Sequence, residues 1–136
     1  MGARTKARKR ALDILFSSDV RGDAIGVTLA AEAKRAASEP AREASWLYAR
    51  EIADGIVDHQ DEIDEQITTH SRDWKLERMP AVDRALLRIA VWEILYNDEV
   101  PTAVAIDEAV ELAKEFSTDD SGAFVHGVLA RVARSS

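Results

Sequence analysis

Along almost the whole chain, apolar residues recur at spacings of three and four, and no stretch of β-branched alternation is long enough for a strand. From about Thr5 to Ser18, Ala7, Ala11, Leu12, Leu15 and Phe16 make one stripe, which predicts a first helix that packs on this face and carries its Arg and Lys residues on the others. Arg21-Gly22-Asp23 reads as a break. An Ala-rich second helix is expected from about Val27 to Ala37, stopped by Ser38-Glu39-Pro40, because proline cannot continue it. The third helix, about Ala41 to Asp58, aligns Ala44, Leu47, Tyr48, Glu51, Ile52 and Ile56, with Gly55 as a weak point. A fourth, about Gln60 to Ser71, carries Ile63 and Ile67.

The pattern changes after Pro80. From there to about Tyr96 apolar residues stand on every side of the predicted helix, which marks a fifth helix buried by neighbours all round. Arg84, Arg88 and Glu93 lie within it, and each must find a partner or reach the surface, because a buried unpaired charge is very costly. A sixth helix, about 102–116, starts after Pro101 and presents Val104, Ala105, Ala109, Leu112, Ala113 and Phe116 as its buried face. The segment Ser117 to Gly122 is rich in capping residues and leads into a seventh helix with Phe124, Val125, Val128, Leu129 and Val132. Periodicity places Phe124 in the core, and stacking on a nucleobase is the alternative. The fold class is therefore all-α, about seven helices in two small packed bundles. The 136 residues make one domain, with sub-bundles at about 1–75 and 76–136.

Charge adds the first functional hint. The net charge is −7, yet residues 1–10 hold Arg4, Lys6, Arg8, Lys9 and Arg10 and no acid, a local +5 that leaves −12 on the rest. Such a helix can neutralise several phosphates and bind RNA with salt-sensitive affinity, while the acidic body confines the contact to one surface. The chain has no Cys, and no apolar run approaches the roughly 18 to 20 residues of a membrane span, so a cytoplasmic protein without membrane contact is expected.

Catalytic chemistry is missing from the pattern. His59, His70 and His126 are far apart, with no metal-ligand spacing, and no phosphate loop, nucleophile elbow or zinc-protease motif occurs. The acids Glu51, Asp54, Asp58, Asp61, Glu62, Asp64 and Glu65 read as a solvated face, since a di-metal bundle wants Glu followed three residues later by His. A binding protein with no enzyme activity, no metal and no cofactor is expected.

Three stretches carry a specific resemblance: Val82 to Ala90 with Trp92-Glu93; Val100-Pro101 with Ala105 to Lys114; and Phe124-Val125-His126-Gly127-Val128-Leu129. Together with Arg4-Thr5-Lys6-Ala7-Arg8 ahead of Ala11 to Phe16, they resemble the NusB family of bacterial transcription antitermination factors. The resemblance implies an all-helical fold and a role in reading boxA RNA of rRNA operons with NusE, a ribosomal small-subunit protein, in RNA polymerase antitermination complexes. Carried over by position, it implies RNA contacts at Arg4, Lys6, Arg8 and Lys9, extending to Asp120, Ser121 and Phe124. It also implies partner contacts at Asp83, on the NusE side, and at Phe16. Thr5 interrupts the basic run, Phe16 stands where many members have Tyr, and His126 replaces the usual Asn. The alternative expectation is a helical scaffold or homodimer that masks its RNA surface and acts through protein partners.

Overall fold

The computed structural model describes residues 2–39 and 43–136. Among them the architecture is all-α, with seven helices: α1 (Ala3–Arg21), α2 (Ile25–Ala37), α3 (Glu43–Asp58), α4 (Gln60–His70), α5 (Ala81–Tyr96), α6 (Thr102–Phe116) and α7 (Ser121–Arg134). A single 3₁₀ turn, Leu76–Arg78, interrupts the connection from α4 to α5 and was not anticipated. The expected stop at Pro40 and the start of the third helix at Ala41 lie outside the described residues.

The break after α1 has a clear local cause. Gly22 takes a left-handed φ of +72°, and its N–H and that of Asp23 close back on the carbonyls of Asp19 and Ser18, at 3.2 and 3.0 Å. A side chain at Gly22 would be strained in this conformation, so the glycine fixes where α1 turns into α2.

α5 is the axis of the fold. Ala85, Leu86, Leu87, Ile89, Ala90, Val91 and Trp92 are all buried, and α1, α3, α4, α6 and α7 pack around them. One continuous apolar cluster draws on these six helices, from Ala7 and Leu12 on α1 to Leu129 and Val132 on α7. Burying each Leu, Ile or Val contributes about 1.5–3 kcal/mol, so the axis carries a large share of the folding energy. A smaller cluster of Ile14, Leu29, Trp46 and Ala53 pins α2 onto α1 and α3. Gly55 serves packing: a Cβ there would sit 1.9 Å from the Trp92 indole nitrogen, so the missing side chain lets α3 close onto α5.

Three sequence expectations need correction. On α3 the buried face is Ser45, Trp46, Ala49, Ile52, Ala53 and Ile56, whereas Leu47 is 55% exposed and Ala44 and Glu51 are exposed. The phase moves because Trp46 and Ala53 meet α2, a neighbour that one helix's own periodicity cannot reveal. On α6, Val104 and Phe116 lie at the edge of the buried stripe and are 42% and 40% exposed. On α1, Phe16 leaves the stripe and is 40% exposed, its place inside taken by Ile14.

Arg84, Arg88 and Glu93 of α5 each find a charged partner. Arg88 grips Asp64 of α4 through two bonds of 2.8 and 3.1 Å. Arg84 reaches Asp19 of α1 and donates to the Leu76 and Met79 carbonyls at 2.8 and 3.2 Å. Glu93 points inward, and its partner lies in the basic helix.

Candidate nucleic-acid interface

The basic run at the start of α1 divides into an inner and an outer set. Arg8 falls four and seven residues before Leu12 and Leu15, which places it on the buried stripe, and it is only 3% exposed. Its Nε lies 3.0 Å from both carboxylate oxygens of Glu93, itself 1% exposed, and a terminal nitrogen lies 2.9 Å from Oε2. The other terminal nitrogen is 3.4 Å from Glu108 on α6, whose carboxylate also accepts from Thr5 Oγ1 at 2.8 Å. The Tyr48 hydroxyl of α3 donates to Glu93 and accepts from Asn97 Nδ2 at 3.0 Å. Side chains of α1, α3, α5 and α6, with Asn97 just past α5, therefore meet in one network. No buried side-chain polar atom among the described residues lacks a partner.

The electrostatics follow from this geometry. Burial acts to lower the Arg8 pKa, but the hydrogen bond and charge of Glu93, with Tyr48 and Glu108, outweigh it and hold the guanidinium above its ordinary value. Burial, then the bond to Glu93 and its charge, push the Tyr48 phenol well above the ordinary tyrosine range. The guanidinium is kept charged and the phenol protonated. Arg8 was expected on the open cationic face; the structure instead places it inside, as the bolt that holds α1 against α5.

The outer set faces solvent. Arg4 is half exposed, pairs with Glu99 at 3.2 Å and lies 5.1 Å from the Tyr48 ring centre. Lys6 is exposed and has no side-chain partner among the described residues. Lys9 bridges to Asp13 at 2.7 Å and sits 4.7 Å from the ring centre of Phe116. Arg10 turns sideways and donates to Ser45 Oγ at 2.8 Å.

Of the remaining expected residues, all but Phe16 gather where α6 ends and α7 begins. Asp120 is exposed at the N-cap of α7, and its side chain makes no capping bond. Ser121 is 2% exposed and bonds to Ser117 Oγ and Thr118 Oγ1 at 3.0 and 2.8 Å, so it braces the loop rather than facing a ligand. Phe124 is half-buried at the core edge, 5.4 Å from the ring of Trp74. Asp83, expected to face a partner, is 1% exposed and accepts from Ser117 Oγ, because α5 turns it into the base of this loop. Phe16 is open on the outer side of α1, one turn before Val20, which is 67% exposed.

Sequence reasoning missed Tyr48, Asn97 and Glu108 as partners in the central network, and Trp74 as an exposed ring. Glu93 alone in an apolar helix signalled a buried partner, and the spacing of Arg8 to Leu12 and Leu15 pointed to the same answer from the other side.

Comparison with known proteins gives a consistent result. The model of the NusB family matches residues 5–134. Transcription antitermination protein NusB of Leifsonia xyli subsp. xyli is 67% identical over 135 residues, which is 99% of this chain and 94% of that protein. Among solved structures, NusB of T. maritima superposes with a TM-score of 0.81 at 32% identity, covering 96% of this chain and 90% of that one. The NusB fold in a crystal structure of antitermination factors NusB and NusE in complex with dsRNA gives a TM-score of 0.83 at 27% identity, with 98% of each chain covered.

Proposed function

The chain belongs to the NusB family, and from that premise we propose that it is a transcription antitermination factor that binds boxA-type RNA of rRNA operons together with NusE and works within RNA polymerase antitermination complexes in the cytoplasm. It acts by binding, not by catalysis. The observation that carries this reading is the division of the basic helix. Arg8 is spent inside on Glu93, while Arg4, Lys6 and Lys9 stand outside on a helix so anchored. Cations on an anchored helix lose little entropy on meeting phosphates, and each phosphate neutralised releases counterions. Asp120 and Phe124 extend the surface at the start of α7, where a carboxylate and a ring can meet a base edge and face. Arg8 and Ser121 act from behind, by holding those groups in place. Asp83 reaches a protein partner only through the Ser117 loop that it holds.

Titration of boxA-type RNA with and without NusE tests this. Weak binding alone, tighter binding with NusE and a steep fall in affinity with salt are expected. Equal affinity for RNA with and without NusE would contradict the partner assignment.

A second reading has its own observation. Phe16 and Val20 are open and adjacent on α1, which favours a homodimer that covers this side. Mass measured across a concentration series tests it, and a strict monomer would remove it.

A further inference from the structure

Trp46 and Trp92 are buried, whereas Trp74, between α4 and the 3₁₀ turn, is 44% exposed. Its ring is tilted by 41° against Phe124, and the two rings form one wall of an open concavity with Thr118 and the carboxylates of Asp73 and Asp120. Trp74 also borders two further hollows, one lined by Asp73, Lys75 and Arg78 and the other by Arg72, Asp73, Lys75 and Glu77. All three cations are exposed and, among the described residues, their side chains make no ion pair or hydrogen bond. This contrasts with Arg8, Lys9, Arg84 and Arg88, each held by a carboxylate.

An exposed indole next to a second ring, with cations and carboxylates free of side-chain partners around it, fits one kind of ligand. The rings offer a stacking platform for a base, the cations match flanking phosphates, and a carboxylate accepts from an exocyclic amino group at the base edge. A paired helix hides its base faces, so the match is to an unpaired strand. The concavity also lies close along the chain to a residue that the basic helix touches: Lys9 lies over Phe116 at the end of α6, and Thr118, two residues on, lines the concavity.

We propose that Trp74, together with Phe124, stacks an unpaired nucleobase of the bound RNA, with Arg72, Lys75 and Arg78 holding its flanking phosphates. The inference rests on the RNA reading above and assigns to that RNA a second anchoring point, remote from α1 in sequence.

The test uses the full chain and a single-stranded boxA-type RNA oligonucleotide. Binding is followed by anisotropy of the labelled RNA and by tryptophan emission, in which Trp74 is the tryptophan open to contact. Stacking quenches the emission of the wild type. Trp74→Leu is expected to lower affinity about tenfold and remove the quench, because stacking on one base is worth on that order. Its salt dependence stays as in the wild type, and Trp74→Phe keeps most of the affinity. Replacing Arg72, Lys75 and Arg78 together by Gln lowers the slope of log affinity against log salt by about 2. Unchanged affinity in Trp74→Leu, with the wild type binding normally, would overturn the stacking site and leave the α1 reading standing. Loss of NusE binding in Trp74→Leu with RNA affinity intact would assign the surface to the protein partner and equally overturn it. A wild type that binds no RNA would remove both readings.

Discussion

Replacing Arg8 by Met tests whether the innermost cation of the basic helix is a structural bolt. Arg8→Met keeps most of the side-chain volume but leaves Glu93, 1% exposed, without its cation. Breaking one side of a buried pair costs about 3–5 kcal/mol, since the remaining charge stays desolvated. A domain of this size has about 5–15 kcal/mol in total, so the variant should lose roughly a fifth or more of its stability. In urea the midpoint should fall with the slope unchanged, and thermal melting should drop by roughly 10–20 °C. Adding Glu93→Gln removes the second charge and keeps an oxygen for the Tyr48 hydroxyl to donate to. The double variant should therefore recover to within about 2 kcal/mol of the wild type. A loss below about 1 kcal/mol in Arg8→Met, or a double variant less stable than the single one, would refute the reasoning.

Other consequences follow from the same contacts. Gly55→Ala forces a methyl to within 1.9 Å of the Trp92 indole. It should destabilise by about 1–3 kcal/mol and shift the emission of Trp92, as seen in equilibrium unfolding followed by fluorescence. The Tyr48 phenol is held protonated in the fold above its ordinary value of 10.0. Past about pH 10 the unfolded chain therefore releases a proton that the folded chain keeps, so stability should fall as pH rises. Chemical denaturation from pH 8 to 11 should show a steeper alkaline fall in the wild type than in Tyr48→Phe, and parallel curves would count against the buried phenol bond.

Much of this architecture is legible in the sequence because it is local. The all-round apolar pattern of α5 marked it as the axis, Gly22 marked the end of α1, and the spacings of α4 and, apart from Val104 and Phe116, of α6 located their buried residues. What was not legible depends on neighbours far away in the chain. Trp46 is inside because α2 folds back on it, a fact that no single-helix period contains. Arg8 looked like one more cation in a basic run, and only the meeting of α1 with α5 shows that it is spent on Glu93. Ser121 and Asp83 had the chemistry of contact residues, but their bonds with Ser117 and burial make them supports. Trp74 escaped attention for the opposite reason. It lies in a short connection without periodicity, so neither its exposure nor its pairing with Phe124 could be foreseen.

The central claim is that the outer cations of α1 grip RNA phosphates while the inner one holds the helix. The most direct measurement is the slope of log RNA affinity against log salt for the wild type, Lys6→Gln and the Arg8→Met/Glu93→Gln pair. Losing one phosphate contact should reduce the slope by about 0.7–0.9 in Lys6→Gln. The Arg8 pair should keep the wild-type slope. A slope unchanged by Lys6→Gln but reduced in the Arg8 pair would contradict the account, because it would put the phosphate on the buried guanidinium.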